Sequence, residues 1–268
     1  MDGNTYRFLI FISVFAIMLI LESFIARHPT VDSKPRRLGM HLGLSGLNTL
    51  LIKFIFIGGA AVGAAEVAES KGWGLFNILD WPYELEFLLI VIILDFAIYL
   101  QHMIVHKIPL FWRFHVVHHS DLDLDVSSGL RFHPIEILAS MLYKIVIIYI
   151  LGPIPIAVLV FETILNGMAL FSHSNIALPA RLDFLCRKLI VTPDMHRIHH
   201  SIEVSETNSN YGFNLSIWDR VLGTYKEEAI KAQPEIVIGI DAFRHPNELT
   251  FYNLLIMPKK YGKLTYVT

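Results

Sequence analysis

Three short clusters of histidine hold the side chains of this sequence that could do chemistry. The first, QHMIVH, spaces two histidines four residues apart, while HVVHH and HRIHH each place them at positions i, i+3 and i+4. On a helix these positions share one face, so each cluster is expected to aim its imidazoles at one point. Imidazole binds iron, zinc and copper, so the spacing predicts metal sites. The histidines are His102, His106, His115, His118, His119, His196, His199 and His200.

A helix-start signal precedes the third cluster. Thr192 is suited to cap a helix, Pro193 to occupy its first position and Asp194 its first turn. A helix is therefore predicted to lead into His196.

Two apolar stretches each carry polar residues at helical spacing, on one face that leads to the clusters. Ionisable groups inside a membrane are costly and mark function by default. Asp95 and Glu162 could accept imidazole N–H groups and so fix ring orientation, and Asn166 and His133 are further candidates for metal binding or support. The two sets are Asp95, Tyr99, His102 and His106, and Glu162, Asn166, Ala169 and His173.

The composition is that of a membrane protein. Of 268 residues, 54% are hydrophobic and 17% charged, with a mean hydropathy of +0.51. The net charge of −2 excludes nucleic acid as an expected partner, and a single cysteine, Cys186, favours a reducing compartment.

Five apolar stretches divide the chain. They predict an all-α integral membrane protein with about four membrane helices in hairpins and a cytosolic helical cap that carries the histidine clusters. The GPIP sequence at 152–155 predicts the turn of one hairpin. Lys53 and Lys144 interrupt two stretches and are expected to reach towards the headgroups. The stretches are 8–26, 42–65, 87–100, 135–151 and 154–172.

Loop charges predict the orientation. The loop after the first stretch is basic and the loop after the second is acidic, so the first is expected in the cytoplasm, as are residues 101–134 and 173–268. The alternating Asp121, Asp123 and Asp125 are interpreted as a solvated face. The orienting residues are Arg27, Lys34, Arg36 and Arg37 in the first loop, and Glu66, Glu69, Asp80, Glu84 and Glu86 in the second.

Together, the clusters and the sequence around them resemble the fatty acid hydroxylase/sterol desaturase superfamily of membrane non-haem di-iron enzymes. The resemblance covers roughly residues 87–225. It divides the chain into N-terminal membrane helices (1–86), a histidine-cluster domain (87–225) and a C-terminal cytosolic tail (226–268). The motifs that carry it are PLFWRFHVVHHS (109–120), RFHP (131–134), FSHSN (171–175), TPDMHRIHHS (192–201) and NYGFNLSIWDRVLGTY (210–225).

This resemblance implies a cytosol-facing centre of two non-haem iron ions and O2-dependent oxidation of lipid C–H bonds. The resemblance leaves the catalytic side chains unknown, and His133 has a weaker claim to ligate metal. Nine histidines exceed the ligand set of one zinc ion and suit two metals with positions open for O2. The implied ligands are His102, His106, His115, His118, His119, His173, His196, His199 and His200.

Hydroxylation of an acyl chain or sterol-like lipid is the expected activity. The alternatives are a desaturase of the same class, a metal-binding or metal-transport membrane protein, and a zinc hydrolase. The chain has no flavin, haem or iron–sulfur motif, so a separate ferredoxin, cytochrome or reductase is expected to donate electrons. The C-terminal residues KLTYVT carry no retention signal, which favours a bacterial plasma membrane.

Overall fold

The computed structural model describes residues 3–57, 59–79 and 81–262, which form α-helices joined by turns and loops. Asp80 and residues 263–268, on which part of the predicted orientation and location rests, lie outside the described residues. In chain order the helices are α1 (Gly3–Phe24), α2 (Lys34–Ile55), α3 (Ala61–Lys71), α4 (Leu75–Ile78), α5 (Tyr83–Lys107), α6 (Pro109–His119), α7 (Pro134–Leu151), α8 (Pro155–His173), α9 (Ala180–Cys186), α10 (Pro193–His199), α11 (Val204–Thr207), α12 (Ile217–Val221) and α13 (Phe251–Tyr261).

Five of these helices, α1, α2, α5, α7 and α8, are long and apolar enough to cross a membrane. The predicted class, an all-α integral membrane protein, is confirmed, with five such helices rather than about four. An apolar core lies between α3, α5, α7 and α8 and includes Ile90, Leu94, Ile148 and Phe161. The histidine clusters lie beyond one end of this core.

The stretch predicted as one apolar element over 42–65 is two helices. α2 ends at Ile55, α3 begins at Ala61, and Gly59 between them has a φ of +91°, a conformation that side chains rarely adopt. The buried face of α3 consists of alanines and a glycine, so its backbone packs closely against both α7 and α8.

α7 and α8 form the predicted hairpin around the GPIP sequence. Gly152 caps α7 in the left-handed conformation at a φ of +63°, and Pro155 begins α8. The turn packs against α4 and the residues just before it, and Asn77 of α4 donates a hydrogen bond to the Gly152 carbonyl at 3.0 Å. A Cβ atom on Gly152 would overlap the carbonyl oxygen of Trp73, so the turn has no room for a side chain.

A cluster of three charges links α1, α7 and α8 inside the apolar region. Glu162 accepts hydrogen bonds from Lys144 at 2.5 Å and from Arg7 at 3.1 Å. Lys144 therefore pairs with a buried carboxylate and does not extend to the headgroups as predicted. Lys53 is exposed in the last turn of α2.

The residues after α8 form a cap of short helices and loops. Isolated β-bridges join Ala26 to Ile176, Ile190 to Leu215 and Ser201 to Ile238. Contacts cross both predicted domain boundaries, because Arg37 pairs with Asp121 in the histidine domain and His28 contacts the carbonyl of Gln233 in the predicted tail. The domain division stays a prediction.

Candidate metal centre

Helices α5 and α6 bring the first two histidine clusters together. A single residue, Ile108, joins them, because Pro109 cannot continue α5 and is suited to the first position of a new helix. The chain therefore turns sharply and packs α6 back against the end of α5. The ring centroids of His106 and His115 lie 4.8 Å apart.

All nine histidines predicted as ligands are buried and converge on two points. Within each group, one ring nitrogen from every histidine lies within 4.8 Å of the others. We call these sets the first and second histidine groups. The first group is His102, His106, His115, His119 and His199, and the second is His118, His173, His196 and His200.

Each HxxHH cluster divides its histidines between the two groups, contrary to the expectation of one point per cluster. A helix turns by about 100° per residue, so position i+4 lies about 40° to one side of position i and i+3 about 60° to the other. His115 and His119 therefore enter the first group while His118 enters the second. In the third cluster His196 and His200 stay together and His199 crosses over.

The third cluster is held by the helix predicted for it. α10 begins at Pro193, and the Thr192 hydroxyl caps it by accepting a hydrogen bond from the Met195 amide at 3.3 Å. His173, the last residue of α8, lies between the second and third clusters. Its Nε2 is 3.0 Å from Nε2 of both His118 and His196.

Hydrogen bonds fix the tautomer of five of the nine rings. In each, Nδ1 faces an oxygen that can only accept, so Nδ1 carries the proton and Nε2 presents a lone pair to the group. The pairs are His102 with the Tyr211 carbonyl (2.8 Å), His115 with the Glu136 carboxylate (2.5 Å), His118 with the Arg131 carbonyl (3.3 Å), His173 with the Ala169 carbonyl (2.7 Å) and His199 with the Ser209 carbonyl (2.7 Å).

This donor set fits metal ions. In the second group, the bare Nε2 atoms of His118 and His173 face each other at 3.0 Å, an arrangement that repels unless a cation lies between them. Metal–nitrogen bonds of about 2.1 Å at right angles place two nitrogens about 3.0 Å apart. In the first group, the buried Nε2 atoms of His102, His115 and His199 have no hydrogen-bond partner among the described residues.

Burial keeps five histidines of the second and third clusters neutral at physiological pH. Desolvation, reinforced by neighbouring imidazoles, lowers the pKa of His118, His119, His196 and His200 well below the usual value, and that of His199 to about 3. A neutral imidazole has the free lone pair that a metal ion requires. These side chains can therefore ligate without first losing a proton.

Residues 210–225 contact the polar residues of α5 and help to hold the first histidine group in place. Asp95 accepts from the Trp218 indole at 2.7 Å, and the Tyr99 hydroxyl contacts the Thr224 hydroxyl at 2.7 Å. Asp219 accepts from the amides of Tyr211 and Gly212, both at 2.8 Å, and so fixes the loop whose carbonyl holds His102.

The acidic loop after the second cluster is buried, so its interpretation as a solvated face is wrong. The Arg37 guanidinium bonds to Asp121 at 2.7 Å and to Asp125 at 2.5 Å, and Asp123 accepts from two backbone amides. Burial alone would raise the pKa of Asp121, but Arg37 and Arg131 hold it well below its usual range. Arg131 also presents the carbonyl that holds His118.

Three of the four candidate supporting residues have other partners, and the fourth is exposed. Asp95 bonds to Trp218 and to the Leu215 amide, and Glu162 to Lys144 and Arg7, so among the described residues neither carboxylate accepts from an imidazole. Asn166 is exposed on α8. His133 caps the start of α7 through the Ile135 amide and contacts the Leu255 carbonyl, outside both groups.

Sequence reasoning missed the carboxylate that supports a ligand. Glu136 in the first turn of α7 accepts from His115 at 2.5 Å. The sequence did contain a signal, since Glu136 is an acidic residue at the start of an apolar stretch, two positions after the RFHP motif. Tyr211 was also missed, although its buried ring lies 5.2 Å from that of His106 and its carbonyl holds His102.

Comparison with characterised proteins finds lipid hydroxylases. The chain is 35% identical to ornithine lipid hydroxylase OlsE of Rhizobium tropici over 148 residues, which cover 54% of this chain and 43% of that protein. It is 27% identical to human alkylglycerol monooxygenase over 185 residues, covering 69% and 40% of the two chains. Rat cholesterol 25-hydroxylase is 24% identical over 141 residues, covering 52% and 46%.

The chain spans less than half the length of these curated relatives. No solved structure matches it significantly. The sequence profile of the fatty acid hydroxylase family matches residues 87–224, which contain all nine histidines of both groups. By this match, which covers half of its length, the chain belongs to the fatty acid hydroxylase family.

Proposed function

We propose that this protein is a membrane lipid hydroxylase whose two histidine groups each bind one iron ion. The observation that carries the proposal is the convergence of nine buried imidazoles on two points, where several ring nitrogens have no hydrogen-bond partner among the described residues. The hydroxylases and monooxygenases among its relatives support the oxidative chemistry.

The five histidines of the first group would hold one ion and the four of the second group the other. When bound, such an iron pair supplies O2 activation, in which two electrons and two protons reduce one oxygen atom to water while the other enters a lipid C–H bond. The electrons come from a separate ferredoxin, cytochrome or reductase, which we propose as a partner.

The protein's own residues orient the site and exclude water from it. Backbone carbonyls and Glu136 hold five rings in one tautomer, so the histidines need little reorganisation when they bind metal. The nine ligand side chains are at most 9% exposed, which limits the loss of oxidising equivalents to bulk water.

We propose a membrane lipid as the substrate. The exposed apolar surfaces of α1, α7 and α8 offer a path by which a lipid chain could approach the groups at the end of α8. Ornithine lipid, alkylglycerol and cholesterol in the names of the relatives point to the lipid class. The loop charges favour a centre on the cytoplasmic side.

Metal content and oxygen incorporation test this proposal. The variant His199→Ala, His200→Ala removes one histidine from each group, and exposed His245→Ala is the matched control. We expect about two irons per chain in the purified wild type and in the control, and a loss of iron in the double variant.

Incubation with 18O2, reductant and a membrane lipid extract should then add one labelled oxygen to a lipid, with the wild type and the control only. Folded protein that takes up no metal would refute the metal centre. Iron-loaded protein that labels no lipid under these conditions would refute hydroxylation while leaving the centre intact.

A further inference from the structure

An apolar surface lies on the cap, outside the membrane-spanning helices. Its side chains are between 40% and 68% exposed, although the cap is otherwise rich in polar and charged residues. An exposed apolar patch of this kind marks an interaction surface. We call it the α9–α12 face, and its residues are Leu182, Leu185, Leu189, Ile217, Val221 and Leu222.

The two halves of this face are fastened to each other. Ile190 and Leu215 form an antiparallel bridge, and the Ser216 amide donates to the Leu189 carbonyl at 3.0 Å. Arg220 of α12 donates to the Arg187 carbonyl at 2.9 Å, just after α9. The α9–α12 face is therefore one surface with a fixed geometry.

Contacts with α5 fix the depth of the α9–α12 face relative to the membrane. The indole of Trp218 in α12 donates to Asp95 at 2.7 Å and its ring lies 4.8 Å from that of Phe96. Asp95 is the midpoint of a 25-residue helix, which is about 37 Å long at 1.5 Å per residue. A helix of that length that spans a hydrocarbon layer of about 30 Å has its midpoint inside the layer. α12 therefore lies at membrane depth, although it belongs to the cap.

Basic side chains border the face. Arg181, Lys188 and Arg220 are exposed next to the apolar residues. Lysine and arginine at the edge of an apolar surface can extend to lipid headgroups while their stems remain in the apolar layer. Lys188 already lies along an apolar neighbour, with its ammonium 4.5 Å from the Phe184 ring.

We propose that the α9–α12 face inserts into the bilayer leaflet next to the histidine groups, with Arg181, Lys188 and Arg220 at anionic headgroups. Through Trp218 the face adjoins Asp95 and Phe96 of α5, and its border has the charge that an anionic membrane attracts. Phe213, shortly before α12, lies 5.0 Å from the His102 ring, so the inserted surface adjoins the first histidine group. This proposal concerns position in the membrane and does not depend on the proposed function.

Site-directed spin labelling tests the insertion. Cys186 is the only cysteine, so Cys186→Ser gives a background for single cysteines at Leu185→Cys and Val221→Cys. Both positions are exposed and tolerant of a label, and exposed Glu228→Cys on the same cap is the matched control. The full chain is reconstituted in vesicles of zwitterionic and anionic phospholipid, and collision with O2 and with a water-soluble nickel complex is measured.

We expect labels at 185 and 221 to collide at least several-fold more with O2 than with nickel, and the label at 228 to show the reverse. Nickel access at either 185 or 221 overturns the proposal, because the face is then in water. Exclusion of both reagents together with spin–spin broadening also overturns it, because a second copy then covers the face.

Discussion

At the scale of single residues, the two histidines that end an HxxHH cluster serve different points. Adjacent helical residues point about 100° apart, so two adjacent histidines are poorly placed to bind the same ion. The adjacent pairs here are His118 with His119, and His199 with His200. The motif therefore suits a two-ion centre better than a single site. Each group combines an i, i+4 pair with histidines from other elements.

The Glu136 carboxylate is expected to raise the metal affinity of the first histidine group only. It holds His115 by a 2.5 Å hydrogen bond, and loss of such a support reduces metal affinity by about 10–100-fold. In Glu136→Ala, chelator titration of iron-loaded protein should release one ion early and retain the other.

Glu228→Ala, an exposed carboxylate of the cap, should leave both releases unchanged. Simultaneous release of both ions from Glu136→Ala would show that the two groups do not bind independently. Unchanged release would show that the carboxylate contributes nothing to metal affinity.

At the scale of elements, the α7–α8 turn controls stability at the end of the molecule far from the histidines. Gly152 needs both its left-handed backbone and the absence of a Cβ, because the segment before α4 packs directly on it. Gly167, in the middle of α8, has open space where a Cβ would be.

The two glycines predict opposite responses to alanine. Gly152→Ala is expected to lower the free energy of unfolding by more than about 1 kcal/mol, because the native conformation becomes strained. Gly167→Ala should leave it equal or raise it by up to about 1 kcal/mol, because alanine favours helix. Chemical unfolding in detergent measures both, and equal destabilisation by the two changes would contradict the role of the turn.

At the scale of the whole molecule, the buried histidines couple folding to pH. Their pKa values in the folded, metal-free protein lie below the unfolded value of about 6.5. Above that value both states are neutral and pH has no effect through them. Below it the unfolded chain binds protons that the folded chain does not, so stability falls as pH falls.

We therefore expect the Tm of metal-free protein to be constant from pH 8 to about 7 and to decrease from about 6.5 to 5.5. Metal-loaded protein should have a higher Tm at each pH, because binding stabilises the folded state. Its decrease should be at least as large, because the occupied nitrogens take up no protons while those of the unfolded chain do. A Tm of the metal-free protein that stays constant down to pH 5.5 would show that these rings already carry protons in the folded state.

The sequence was informative where structure is local. Helical spacing located eight of the nine histidines of the two groups, and GPIP located the hairpin, because both depend on neighbouring residues. The ninth, His173, came from the family resemblance. Partners far apart in the chain were not predictable: Arg37 pairs with Asp121 across 84 positions, so an acidic loop expected in water is buried. The division of each HxxHH cluster between two points was also not predicted. Residues i, i+3 and i+4 lie on one helix face, but their side chains differ in direction by up to about 100°.

The charge cluster of Arg7, Lys144 and Glu162 has a consequence for biosynthesis. Arg7 leaves the ribosome 155 residues before its carboxylate partner, and an unpaired charged side chain in a membrane helix is costly. α1 therefore reaches its lowest free energy only after α8 has been synthesised and inserted. The final packing of α1 is therefore expected after the α7–α8 hairpin has entered the bilayer, although α1 is synthesised before that hairpin.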